Sequence, residues 1–293
     1  VTVLTMPEVI GTIDELRNRL GETRDKAAML GGDTRVVLVP TMGALHAGHM
    51  ALIRRARQLG DIVFVSIFVN PLQFGVGEDL DRYPRTLEAD LQALAAEGVP
   101  FVFAPTAREM YPASTNDTRV VAGPVGSLYE GAARPGHFDG MLTVVAKLLN
   151  IVTPDTAVFG QKDAQQVFLV QSMLADLNVR VAVEVVPTVR EASGLALSSR
   201  NSNLDPAERE AATALSAGLT SAQLDAAQGA AAALDAAHAL IDAQPLVKLD
   251  YLVVVHPQTF LPIESDYRGP ARMLVAAIVG TTRLIDNVSL TLA

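Results

Sequence analysis

The stretch that decides the fold is Val36–Arg57, VVLVPTMGALHAGHMALIRRAR. Its first residues form a fully apolar, Val-rich run, which reads as a buried strand over 35–40 bounded by Gly31-Gly32 and by Pro40. A glycine-bearing turn follows, and then an amphipathic segment over 49–59 that reads as a helix. Two of the chain's five histidines, His46 and His49, stand three residues apart where strand gives way to helix. Side chains three apart at a helix start share a face. Gly43 and Gly48 let the backbone approach a ligand, and a helix start offers N–H groups to an anion.

The same alternation continues outward. Apolar strands are expected at 61–71, 99–105, 156–160 and 179–188, with helical patterns at 86–97, 140–152 and 163–177 between them. Apolar strands alternating with amphipathic helices predict an α/β fold, a Rossmann-like doubly wound parallel sheet covered on both faces. Beyond about residue 188 the texture changes. Residues 205–243 are Ala-rich with helical periodicity, opened by Asp205 at the N-cap, Pro206 and Glu208, and interrupted at Gly229. Strands at 248–257, 271–280 and 287–293 complete a smaller α+β C-terminal domain. The expected division is 1–188 and 189–293, and the sequence contains no internal repeat.

The 293 residues are 49% hydrophobic and 19% charged, which supplies a core and excludes disorder. A net charge of −9 without a long basic run argues against nucleic acid as a partner. Cysteine is absent, which rules out disulfides, zinc–thiolate sites and thiol nucleophiles and fits a reducing compartment. The opening residues 1–20 lack the basic and apolar segments of a secretory signal, and no apolar run reaches the roughly 20 residues of a membrane span. A cytoplasmic protein with no membrane partner is expected.

Three readings of the histidine pair stand side by side. The rings could be half-buried residues of a turn. They could be metal ligands, although no third ligand lies nearby at ligand spacing. Or they could donate to charge developing on a phosphate during nucleotide transfer, the reading favoured by their place at a carboxyl strand end, where open α/β sheets bind ligands. The spacing matches neither a dinucleotide G-x-G-x-x-G nor a P-loop.

HAGH (46–49) after a first strand resembles the H-x-G-H signature of the class I nucleotidyl-transfer superfamily. The longer series PTMGALHAGHMALI (40–53), VSIFVNPLQFG (65–75), DRYPRT (81–86), RPGHFDGMLTVVAKLLNIVTP (134–154), FGQKDAQQ (159–166) and LALSSRN (195–201) resembles the pantothenate synthetases, or pantoate–β-alanine ligases, over essentially the whole chain. That resemblance implies ATP and Mg²⁺ as cofactors, adenylation of (R)-pantoate with loss of pyrophosphate, and attack by β-alanine on the pantoyl-adenylate. It implies a homodimer as well.

By the same resemblance, His46, His49 and Lys162 act on the α-phosphate, His49 being the better proton donor. Met42, Gly43, Gly48, Gly160, Asp163 and Val189 lie along ATP, and Leu197, Ser198, Ser199 and Arg200 form a mobile clamp for the β- and γ-phosphates, a counterpart of the K-M-S-K-S loop. Gln73 matches the residue that binds pantoate and borders β-alanine, with Asn70 beside it, and Gln166 matches the second pantoate-binding glutamine. Asp90 is the candidate Mg²⁺ ligand, with a helix-surface acid as the alternative. Arg134 and His137 fall at the rim of the implied active site, whereas His238 and His256 read as structural. Leu197 and Ala164 depart from the family's usual Met and aromatic residue. Two rival functions are a nucleotidylyltransferase with a more anionic acceptor, which calls for more Arg and Lys than the pocket motifs carry, and a nucleotide-binding regulator without turnover.

Overall fold

The computed structural model describes residues 5–29, 34–75, 80–112 and 118–293. The Gly31-Gly32 boundary expected before the first apolar strand lies outside the described residues, as do residues 1–4. Two elements precede that strand: β1 (Glu8–Ile10) and helix α1 (Ile13–Met29). Both fall outside the apolar runs read from the sequence, yet α1 opens on a T-x-x-E capping box. Glu15 N–H donates to Thr12 Oγ1 and Thr12 N–H to Glu15 Oε2, each at 3.2 Å.

The chain then runs through β2 (Val36–Thr41), α2 (Ala47–Leu59), β3 (Ile62–Ile67), α3 (Leu87–Ala96), β4 (Phe101–Phe103), α4 (Ala107–Met110) and α5 (Glu130–Ala133). It continues through α6 (His137–Val152), β5 (Thr156–Gly160), α7 (Ala164–Asp176) and β6 (Ala182–Val186). The six strands pair in the order β1-β4-β3-β2-β5-β6, and every pairing is parallel. Strand order reverses between β2 and β5, so these neighbours diverge into different connections at their carboxyl ends.

Alternate residues of a strand face opposite sides, and both sides are covered. Val37 and Val39 pack with Ile53 and Ala56 of α2, Leu94 of α3, and Val63, Val65 and Val158. Helix α6 also contacts β2, yet none of its residues joins that cluster, which places it on the side of Val36 and Leu38. The expected doubly wound parallel sheet is present.

The remaining elements are α8 (Pro206–Asp225), α9 (Ala230–Ile241), β7 (Val247–Val255), β8 (Gly269–Val279) and β9 (Thr282–Leu292), the strands forming an antiparallel sheet in the order β7-β8-β9. Asp205 caps α8 as expected, accepting from Glu208 N–H at 2.8 Å, and Gly229 separates the two helices at φ +101°. Alanine richness here is a packing requirement. A Cβ on Gly218 of α8 would sit 2.9 Å from Ile241 Cγ1 and 3.0 Å from Ala237 O of α9, so the helices approach too closely for larger residues at the contact. Strand β9 begins five residues before the expected 287, because Gly280, at φ +59°, closes a two-residue hairpin turn from β8.

Two compact units result. One holds the described residues up to Gly160 together with Leu169–Val186, and the other holds Gln161–Phe168 with Pro187–Ala293. The second unit claims the short segment after β5 for physical reasons. Asn287 Nδ2 of β9 donates to the carbonyls of Gln161 at 2.9 Å and Lys162 at 3.0 Å, and Phe168 stacks on Phe260 with centroids 4.9 Å apart.

Within the first unit, a 3-10 turn at Pro71–Gln73 lies directly on α6. A Cβ at Gly140 would fall 1.9 Å from Leu72 O and 2.8 Å from Gln73 N, both backbone atoms that cannot yield cheaply. Gly140→Ala is therefore expected to cost about 1–3 kcal/mol of stability, read as a lower urea midpoint at unchanged m-value; an unchanged midpoint would mean that the turn tolerates displacement.

Candidate active site

The turn from β2 to α2 is built from unusual backbone. Gly43 and Ala44 are consecutive left-handed residues, at φ +82° and +50°. A side chain on Gly43 would be strained by that φ, and its Cβ would also lie 3.1 Å from both Asp90 Oδ2 and Ile67 Cγ2. Thr41 ties the turn to β3, its hydroxyl donating to Ser66 O at 2.7 Å and accepting from Gly43 N–H at 3.2 Å.

His46 is the N-cap of α2 and His49 its third residue. His46 Nδ1 accepts from Gly48 N–H at 3.1 Å, and His49 Nδ1 accepts from His46 N–H at 3.2 Å, a capping box made of two imidazoles. An Nδ1 that accepts a hydrogen bond carries no proton, so each neutral ring is protonated at Nε2. The rings lie 4.1 Å apart between centroids, and both are half-buried. The backbone N–H of Gly48, expected to be open to an anion, is instead taken by His46. That tautomer makes the ring Nε2–H groups the side-chain donors of this helix start.

Asp90 holds the turn. It is 3% exposed, not a helix-surface acid, and reaches from α3 to accept from Leu45 N–H at 2.8 Å and Ala44 N–H at 3.1 Å. Thr86 Oγ1 donates to the same carboxylate at 3.2 Å. These bonds account for a buried carboxylate without a metal. Among the described residues no group of three or more His, Asp or Glu is arranged to hold a metal ion.

Asn70 and Gln73 lie beyond the end of β3, the neighbour of β2, and both are buried. Asn70 caps the 3-10 turn, and its Nδ2 donates to Gln73 Oε1 at 3.0 Å. The Gln73 carbonyl accepts from His137 Nδ1 at 2.8 Å and from Arg134 at 3.2 Å. A carbonyl only accepts, so His137 carries its proton on Nδ1, and Arg134 faces its Nε2 at 3.3 Å. Arg134 and His137 thus position Gln73. Gly160 ends β5, beside β2; a Cβ there would meet only Leu52 Cδ2 at 3.9 Å, so no protein contact demands glycine.

Met42 directly follows β2 in the first unit, and the remaining expected residues belong to the second unit. Lys162 Nζ lies 3.9 Å from Asp163 Oδ1, a loose pair on side chains 19% and 51% exposed. Asn287, which holds the backbone of Gln161 and Lys162, is itself oriented by Arg272, whose Nη1 donates to Asn287 Oδ1 at 2.6 Å. Burial lowers the pKa of that guanidinium. Gln166 sits in the first turn of α7, after buried Ala164.

Val189 and Leu197 are joined by Leu197 N–H to Val189 O at 2.9 Å, beside an antiparallel bridge between Arg190 and Ala196. The segment expected as a mobile loop is internally braced. Arg209 donates to Glu191 Oε1 at 2.6 Å and to Asn201 O at 2.9 Å, and Arg190 makes a bidentate pair with buried Asp286. Ser198 caps the 3-10 turn Ser199–Asn203 by accepting from Arg200 N–H at 3.2 Å. The Arg200 guanidinium makes no ion pair among the described residues. Asn287, Asp286 and Tyr111, whose part is taken up below, carry no motif that reveals them in sequence.

A parallel sheet with its H-x-G-H turn beside the switch point, followed by a glutamine held at the end of the next strand, matches one known pattern along its length. The family model described as pantoate-beta-alanine ligase matches residues 8–289. The chain belongs to that family. It is 59% identical over 281 residues to the pantothenate synthetase of Leifsonia xyli subsp. xyli, covering 94% of this chain and 98% of that protein. Against the pantothenate synthetase of Nocardia farcinica it is 52% identical over 292 residues, covering 100% of this chain and 87% of the other.

Among solved structures, pantothenate synthetase from Thermus thermophilus aligns with a TM-score of 0.88 at 47% identity, covering 96% of this chain and 98% of that one. Pantoate-beta-alanine ligase from Francisella tularensis, complexed with beta-gamma ATP and beta-alanine, aligns with a TM-score of 0.75 at 34% identity and 97% coverage of both chains. The family's reaction is the ATP-dependent condensation of (R)-pantoate with β-alanine through a pantoyl-adenylate, with release of AMP and pyrophosphate, and this chain is an AMP-forming ligase of that kind. The nucleotidylyltransferase and regulator readings fall away.

Asp90→Asn keeps the side-chain volume but turns an NH₂ group toward a backbone N–H. Its kcat is expected to fall about tenfold or more while the half-saturating Mg²⁺ concentration stays within about twofold. A defect recovered by raising Mg²⁺ would assign Asp90 to the metal instead.

Proposed function

We propose that the β2–α2 turn carries the adenylation step in this chain. The carboxylate of (R)-pantoate attacks the α-phosphorus of ATP, a new P–O bond forms, and the bond to the departing pyrophosphate breaks. Negative charge builds on the non-bridging α-oxygens. The Nε2–H groups of His46 and His49 donate to those oxygens, and Lys162 supplies a positive charge. Preorganised donors of this kind are worth most where water is excluded and no reorganisation is needed during the step. The single observation that supports this role is the capping box, which leaves each neutral ring's proton on Nε2.

Met42, Gly43, Gly48, Gly160, Asp163 and Val189 are proposed to line ATP. Leu197, Ser198, Ser199 and Arg200 take its β- and γ-phosphates, with the charge of Arg200, which has no ion pair among the described residues, as the main attraction. Gln73 and Gln166 bind pantoate, and Asn70 acts beside Gln73. In the second step the amine of β-alanine attacks the acyl carbon, the acyl–phosphate bond breaks, AMP departs, and the amine gives up a proton. Gln73 suits a place beside this amine because an uncharged amide makes no ion pair that would blunt the nucleophile.

Mg²⁺ is proposed to come with ATP, held by phosphate oxygens and water, where it would offset phosphate charge. A homodimer is the proposed assembly, in keeping with the prevalence of twofold oligomers, and a cytoplasmic location is in keeping with the lack of cysteine. No helix among the described residues is long and apolar enough to cross a membrane.

His49→Ala is expected to leave ATP binding within a few-fold and to lower kcat about 10²-fold or more, the pattern of a contact made chiefly in the transition state. Calorimetric ATP titration and steady-state turnover check the two halves. Turnover within twofold of the parent would remove His49 from the chemistry.

A further inference from the structure

The amide of Gln73 has two ends with opposite chemistry, and which end meets a ligand depends on how the group is held. Asn70, fully buried, determines it. Its Oδ1 accepts from Leu72 N–H at 3.3 Å, and a backbone N–H only donates. Its Nδ2 donates to Gly140 O at 3.0 Å, and a carbonyl only accepts. These one-way partners leave Asn70 a single orientation. The Gln73 atom that takes the other Nδ2 hydrogen must then be Oε1, at 3.0 Å. Gln73 Nε2 has no partner among the described residues.

Tyr111 closes the chain of directions. Its hydroxyl donates to Asn70 Oδ1 at 2.8 Å, a much shorter contact than the one from Leu72. The phenol ring is held between Phe68, with centroids 6.2 Å apart, and Lys147, whose Nζ stands 5.5 Å from the ring centre. We infer that Tyr111 is a positioning residue for substrate binding: through Asn70 it locks the Gln73 amide with its NH₂ end, not its oxygen, turned to the ligand. An NH₂ end is matched to acceptors, and the carboxylate and hydroxyl oxygens of pantoate are acceptors. Burial pushes the Tyr111 hydroxyl up to about 12, so it remains a donor throughout the range in which the enzyme would be assayed.

The inference rests on the assignment of Gln73 to pantoate, and the test separates the two. Tyr111→Phe, Gln73→Ala and the double variant are compared for pantoate KM, ATP KM and kcat, with thermal melting to establish that each is folded. Tyr111→Phe keeps the ring and its packing. It is expected to raise the pantoate KM about three- to tenfold, the effect of one lost hydrogen bond, with ATP KM and kcat within about twofold. In the Gln73→Ala background the same substitution should change the pantoate KM by less than about twofold, because nothing remains to be oriented. A full effect of Tyr111→Phe in that background, or no effect in the parent, overturns the relay alone. An unchanged pantoate KM in Gln73→Ala removes Gln73 from pantoate binding and the proposal with it.

Discussion

The backbone N–H groups of Ala44 and Leu45 have no strand or helix partner, because the chain leaves β2 through two consecutive left-handed residues. Asp90 supplies their acceptors from α3. A left-handed conformation at a non-glycine residue costs roughly 1–2 kcal/mol, and a hydrogen bond to a charged group returns about 1.5–3 kcal/mol. Two such bonds at Ala44 and Leu45 therefore outweigh the strain at Ala44, and the carboxylate decides the shape of the turn. That shape sets where α2 begins, and the start of α2 makes His46 its N-cap. From the N-cap position follow the accepting Nδ1 atoms and the protons on Nε2.

The same device recurs elsewhere in the molecule: a flexible polar side chain is given one orientation by partners that can act in only one direction. Leu72 N–H and Gly140 O orient Asn70, which orients Gln73. In the second unit the guanidinium of Arg272 orients Asn287, whose Nδ2 holds the carbonyls of Gln161 and Lys162. The Gln73 amide and the backbone of Gln161 and Lys162 are thereby preorganised by neighbouring side chains.

The parallel sheet was legible in sequence because buried strands between amphipathic helices leave uninterrupted Val/Ile runs, and the two-helix C-terminal segment announced itself through Asp205, Pro206 and Gly229. Strand β1 is three residues long and α1 is largely polar, so their apolar pattern is weak; the Thr12–Glu15 capping box was the signal that remained. His46, His49, Gln73 and Lys162 were singled out because each falls in a short motif at a strand end that resembles the family's, Gln73 on that resemblance alone. The bonds of Asp90 to the turn, and the parts of Tyr111 and Asn287, escaped for a common reason. Their work depends on partners 45, 41 and 125 residues away, and spacing within a segment carries no trace of such pairings. The segment 161–168 joins the second unit for the same kind of reason, a contact made by a strand more than a hundred residues later.

The most direct test of adenylation at this site is exchange of labelled pyrophosphate into ATP, with Mg²⁺ present and β-alanine omitted. Exchange that requires pantoate is the predicted result, since reversal of the first step needs only the pantoyl-adenylate and pyrophosphate. Folded, ATP-binding protein that shows no exchange with pantoate would contradict the account.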